Sequence, residues 1–240
     1  MIDYFFFMFC FLSMINVTVK GKDNFFHDYM ELSNTNSIKG IFVWLIIFCH
    51  KKDYGIKRYY LFKIITKYLG QKVVSMFFFY SGFGIYESIK KRGHNYAKIL
   101  PYKAIILFIK AQIIILMFLL ANIIIFNQII TLKRYLLSII FISSLGNSNW
   151  FAFSIIIFYI YSYFSFRYVK NRYIFGIIII SILCFLHVKL VYKYYYPKAK
   201  YSVDTVLCFA IGFYYSYMKK YLDKIIMKND ICYFGVVIEL

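Results

Sequence analysis

Apolar residues in this chain fall into long solid runs separated by short basic stretches. Tyr4 to Val19, Ser37 to His50, Val73 to Ile89, Ala104 to Leu132, Trp150 to Phe166, Tyr173 to Val191 and Val203 to Met218 are the principal runs. A shorter one covers Tyr135 to Leu145, and a last one starts at Ile231. A helix that crosses a bilayer needs ~20 predominantly apolar residues, and most of these runs approach that length. They are solid Ile, Leu and Phe rather than alternating apolar and polar, which predicts helices and not a barrel. The predicted fold is all-α, a polytopic integral membrane helical bundle with about seven or eight hydrophobic segments.

The run from Ser37 to His50, SIKGIFVWLIIFCH, carries an ionisable residue near each end. Beyond Lys39 and His50, the stretch from Ile38 is apolar or glycine, and it stops at the basic loop Lys51-Lys52-Asp53. Lys39 and His50 are about three helical turns apart, so they share nearly one face and lie ~16 Å apart along the axis. An ionisable side chain in a spanning helix is expensive and is a functional candidate by default. The plain alternative places both in the two membrane interfaces. The chain divides into an N-terminal hydrophobic segment and polar loop (1–36), a main transmembrane domain (37–226), and the start of a further hydrophobic segment (227–240). No Lys or Arg precedes Tyr4 to Val19 and no small-residue cleavage site follows it, so it is expected to be an extra span or an interfacial helix rather than a signal peptide.

Composition narrows the function. Hydrophobic residues make up 62% of the chain and charged ones 16%, against roughly a quarter in soluble domains. The net charge of +19 comes from basic residues that lie mainly between the apolar runs. That placement fits anionic headgroups and a phosphorylated substrate, and nucleic acid is not an expected partner. The stretches on both sides of Val73–Ile89 are strongly basic although they must lie on opposite membrane faces, so charge alone does not set the orientation. One of them is expected to meet an anionic ligand. The five cysteines form no CxxC or metal-spaced pair and read as packing residues. No cluster has metal-ligand spacing, so no metal is expected. No GxGxxG or P-loop is present either.

Three separated pieces are similar to one family. Ile38-Lys39-Gly40-Ile41 through His50 resembles a first helix in which a basic residue precedes a hydrophobic run ending in His. Phe77-Phe78-Phe79-Tyr80-Ser81-Gly82-Phe83-Gly84-Ile85 resembles an aromatic-rich FF-x-SGF/Y segment. Lys98-Ile99-Leu100-Pro101-Tyr102 resembles a basic-x-x-Pro-aromatic opening of a third helix. The family is the integral-membrane acyltransferase-3 family, whose members O-acetylate surface glycans. Weaker echoes at Trp150-Phe151 and from Asp204 to Lys220 extend the resemblance over roughly Ser37 to Lys224. Two departures stand out. The family usually has Arg where this chain has Lys39, and often Arg at Lys98, and Lys keeps the charge but loses the planar bidentate fork. The chain also stops within what should be a further span.

The resemblance implies a bacterial plasma (inner) membrane O-acyltransferase with no resident cofactor, which takes acetyl from acetyl-CoA as co-substrate. Its partners are acyl-CoA, a surface glycan or lipid-linked saccharide, and membrane lipids. Within that reading His50 is the catalytic base, because a neutral imidazole can take the proton of an attacking hydroxyl. Lys39, Arg92, Lys98 and Lys103 are expected to bind acyl-CoA, and Ser81, Lys110, Asn149 and Trp150 to line the channel. His27, His94 and His187 are assigned no role. Two alternatives stay open: a non-enzymatic membrane component of glycan export, and a truncated, inactive acyltransferase.

Overall fold

In a computed structural model, residues 2–15, 27–50, 60–169, 173–195 and 200–228 are described, and they form eight helices and no strand. The helices are α1 (Ile2–Met14), α2 (Leu32–His50), α3 (Tyr60–Arg92), α4 (His94–Ile124), α5 (Leu132–Ile139), α6 (Asn149–Arg167), α7 (Tyr173–Tyr195) and α8 (Lys200–Lys228). Leu32–His50, His94–Ile124, Asn149–Arg167 and Tyr173–Val191 are each long and apolar enough to cross a membrane. The protein is an all-α membrane protein. The described part of α1 is a shorter apolar helix, ~20 Å long. It packs Phe6 and Phe9 against Phe48 of α2.

The centre of the bundle is the parallel pair α3 and α8, with Phe79 beside Tyr215 near one level and Lys90 beside Ser216 toward their common end. Two glycines set how closely they meet. A Cβ added to Gly82 would lie 2.1 Å from the Phe209 carbonyl oxygen, and one on Gly212 would lie 2.2 Å from that of Phe79. Small residues at a crossing let backbones approach where Leu or Ile would hold them apart. Aromatic rings fill the space around this contact. Phe158 stacks on Phe209 at 4.6 Å between centroids, and Phe166 lies parallel to Phe213 at 5.5 Å. α4 packs on α6, α7 on α8 and α6, and α2 on α3.

Position in the bundle accounts for composition. α4 turns Ile105, Ile109, Ile113, Met117, Leu120 and Ile124 outward, as a lipid-facing surface requires. α8 buries Thr205, Ser216 and Asp223 along with Phe209 and Phe213 on the face turned to the bundle. Polar side chains are placed where lipid is not met, which leaves α3 and α8 less apolar than the outer helices.

The helices run further than their apolar runs. α2 starts at Leu32 rather than Ser37, taking in polar residues expected in a loop. There Asn34 Nδ2 donates to the Asp28 carbonyl (2.8 Å) and Ser37 Oγ to that of Ser33 (3.2 Å), so the backbone absorbs them. α4 starts at His94 and carries Pro101 inside it, not at its opening. Its 31 residues span ~46 Å, more than the hydrocarbon thickness, so its basic first turns project beyond the apolar layer. The run from Ala104 to Leu132 is not one helix. α4 ends at Ile124, Asn127 takes φ 48°, and α5 begins at Leu132. The run Tyr135–Leu145 is helical only to Ile139, after which Phe141 (φ 63°) and Gly146 (φ 108°) bend the chain toward α6. The basic loop Lys51-Lys52-Asp53, Pro197 and the apolar run from Ile231 lie outside the described residues.

α2 and α3 are antiparallel. Lys39 stands beside Tyr80, Phe42 beside Phe77, and Cys49 beside Gly70. One end of the bundle therefore gathers the start of α2, the ends of α3 and α8, and the start of α4. It carries Lys90, Lys91, Arg92, Lys98, Lys219 and Lys220. His50 and Asn149 stand toward the other end.

Candidate functional site

A cavity of about 760 Å³ lies at the basic end, between α2, α3 and α8. That volume is in the range of small-molecule sites. α2 contributes Thr35 and Lys39, and α8 contributes Lys219. From α3 come Tyr80, Phe83, Gly84, Glu87, Ser88, Lys91 and Arg92. These follow the i, i+3, i+4 pattern of one helix face, which is why a single helix supplies most of the wall. Gly84 presents open space, with nothing within 4 Å of where a Cβ would stand. The remaining wall is Leu32 and Ser33 at the start of α2 and the turn 27–31 before them.

The wall is rich in charge of both signs. Lys39 is half-buried, its Nζ 5.5 Å from the centroid of the Tyr80 ring, a cation–π arrangement that holds the ammonium at the cavity edge. Glu87 Oε1 accepts from Ser216 Oγ at 2.7 Å and pairs with Lys90 Nζ at 2.5 Å. Lys90 also donates to the Ser216 carbonyl at 3.1 Å. Lys219 pairs with the buried Asp223 at 2.8 Å. Tyr29 places its hydroxyl 2.8 Å from Asp223 Oδ1 and 2.6 Å from the Tyr215 hydroxyl. Burial, followed by these two hydrogen bonds, holds the Tyr29 phenol protonated, well above the ordinary tyrosine range. With Lys219 and Glu87 engaged elsewhere, Lys39, Lys91 and Arg92 remain as cations facing Asp28 and Glu31, a net positive wall suited to an anion.

The residues singled out from sequence divide clearly. Lys39 and Arg92, 53 positions apart, are brought to the same cavity. Lys98 is exposed on the first turns of α4 and is not on this wall. Lys103 is occupied by Tyr96, donating to its hydroxyl at 2.8 Å and lying 4.6 Å from its ring centroid. His50 is exposed at the last residue of α2, away from the cavity. Ser81 Oγ donates to the Phe77 carbonyl at 2.8 Å, a bond within its own helix. Lys110 is exposed on α4 beside the buried Ala111, so it does not point into the bundle. Asn149 is buried at the start of α6, where Nδ2 donates to the Ser143 carbonyl at 2.6 Å and Oδ1 accepts from Asn147 Nδ2. Trp150 packs 6.3 Å from Phe78. None of these four channel candidates lines the cavity.

Sequence reading passed over Tyr29, Glu87, Tyr215, Lys219 and Asp223. Part of this was visible, because Glu87–Lys90 and Lys219–Asp223 stand at the i, i+3 and i, i+4 spacings of helical ion pairs. The link from Tyr29 to Tyr215 spans 186 residues and depends on the fold. Among the described residues no group of three or more His, Cys, Asp or Glu could hold a metal ion. No family model, no curated protein and no solved structure matches the chain.

Proposed function

We propose that the protein is a multi-pass O-acyltransferase of a bacterial plasma membrane, moving acetyl from acetyl-CoA to a hydroxyl of a surface polysaccharide or its lipid-linked precursor. One observation supports this most. Lys39 and Arg92, two of the four residues expected from sequence to hold acyl-CoA, line one cavity of about 760 Å³ with Lys91 beside them. Phosphates of the donor lie against these cations, where charge-assisted hydrogen bonds are strongest. The pantetheine arm then runs along α2 toward His50, ~16 Å further along the helix axis, a distance of the order such an arm spans.

At that end the acceptor hydroxyl attacks the thioester carbonyl while the neutral His50 imidazole removes its proton. The new C–O bond forms, the C–S bond breaks, and the CoA sulfur leaves as a thiol with the proton that the imidazolium returns. In this reading the cavity end faces the cytoplasm, where acyl-CoA is made.

Equilibrium binding of CoA to the purified protein tests the donor site. Lys39→Ala and Arg92→Ala are each expected to weaken binding about tenfold or more, the loss of one charge-assisted contact. His50→Ala should leave it unchanged. Full affinity in both cavity variants would contradict the assignment.

A further inference from the structure

The turn 27–31 walls the cavity on one side, and what joins it to α8 is polar. Tyr29 extends its hydroxyl to Tyr215 (2.6 Å) and Asp223 (2.8 Å). Lys219 lies over the Tyr29 ring, 4.6 Å from its centroid, and donates to the His27 carbonyl at 3.3 Å. Tyr215, Lys219 and Asp223 stand at i, i+4 and i+8, a single stripe of α8 facing the turn. On its other side the turn belongs to α2. Glu31 N donates to the Asp28 carbonyl at 2.8 Å, and Asn34 Nδ2 reaches the same oxygen at 2.8 Å. His27, Asp28 and Glu31 are exposed.

We infer that residues 27–31 are a strap that closes the cavity, hinged at the start of α2 and latched to α8 by Tyr29. Three features converge on this. The strap contributes His27, Asp28, Met30 and Glu31 to the wall, so displacing it opens the site. Its joints to α8 are directional hydrogen bonds, which fail together on a small displacement where an apolar contact would slide. Lys219 belongs to both the latch and the wall. An anion in the cavity competes with Asp223 and the His27 carbonyl for that ammonium, so ligand arrival is coupled to strap release. The inference rests on the cavity being a ligand site, and not on the ligand being acyl-CoA.

Thiol labelling of the full-length, detergent-solubilised protein tests it. Thr35 lines the cavity yet is only 4% exposed, so a Thr35→Cys thiol reports opening. Its maleimide rate is read by peptide mass spectrometry, with the native Cys49, away from the cavity, as internal reference. Adding Tyr29→Phe keeps the ring over Lys219 and removes both hydroxyl contacts. It should raise labelling at residue 35 about tenfold, as loss of a hydrogen bond to a charged partner implies, with Cys49 unchanged. Tyr215→Phe should raise it by a smaller factor, because the bond from Tyr29 to Asp223 remains.

Equal rates in parent and Tyr29→Phe overturn the latch, and so does an acceleration shared by Cys49, which means general loosening. If Tyr29→Phe does not accumulate, Tyr215→Phe decides alone, and an unchanged rate overturns the inference. The readout contains no acyl-CoA. Loss of the donor-binding assignment with intact strap behaviour would therefore count against the acyltransferase reading only.

Discussion

Gly82 and Gly84 are two residues apart on α3, and they carry opposite expectations. A methyl at Gly82 would be driven into the Phe209 backbone oxygen, whereas one at Gly84 meets nothing within 4 Å. Gly82→Ala should therefore force α3 and α8 apart and cost about 3 kcal/mol, at the upper end of overpacking penalties. Gly84→Ala should leave stability nearly unchanged. Thermal unfolding of the two variants in detergent decides between them, and equal losses would contradict the close crossing. The sequence carries a small-residue stretch, Ser81, Gly82 and Gly84, that predicts close helix approach, which Gly82 fulfils and Gly84 does not. It did not show Gly212, the matching glycine on α8, because neither residue indicates its partner 130 positions away. Ser81 turns out to satisfy its own helix instead.

Among the elements, the long apolar runs were legible and their ends were not. Five of the seven principal runs lie within one helix each, and Tyr4–Val19 does so as far as Met14, because solid Ile, Leu and Phe leave few other options in lipid. Ala104–Leu132 was read as continuous because Asn127 does not interrupt hydropathy, only the backbone. The helix expected to open at Lys98 to Tyr102 opens at His94 instead, because charge marks the edge of the hydrocarbon and not the end of the helix. Asn149, expected beside a channel, ties the start of α6 to the bend at Ser143. Asn149→Ala leaves that part-buried carbonyl without its donor, and should destabilise the protein by about 1 kcal/mol. Melting in detergent checks this, and Asn149→Asp, which keeps the acceptor but not the donor, should recover little.

For the whole molecule, the proposed reaction divides its parts along the bundle axis. A charged cavity occupies the basic end, and His50 ends α2 toward the other. Lys39 and His50 were legible as a pair because one helix fixes their separation. The cavity was not, since it is assembled from three helices and a turn that meet only on folding. Arg92 joins Lys39 there because α3 runs antiparallel to α2, and Lys103 does not because it stands on α4, which contributes nothing to the wall. The proposed reaction needs both ends: the cations for the donor and the imidazole for the acceptor.

The most direct test is the acetyl content of the host's surface polysaccharide, measured by proton NMR. Three strains are compared: wild type, a deletion, and the deletion carrying His50→Ala at normal membrane levels. Acyl transfer with His50 as base predicts that acetyl is lost on deletion, and that His50→Ala fails to restore it while a wild-type copy does. Equal acetylation in all three strains would contradict both the activity and the role of His50.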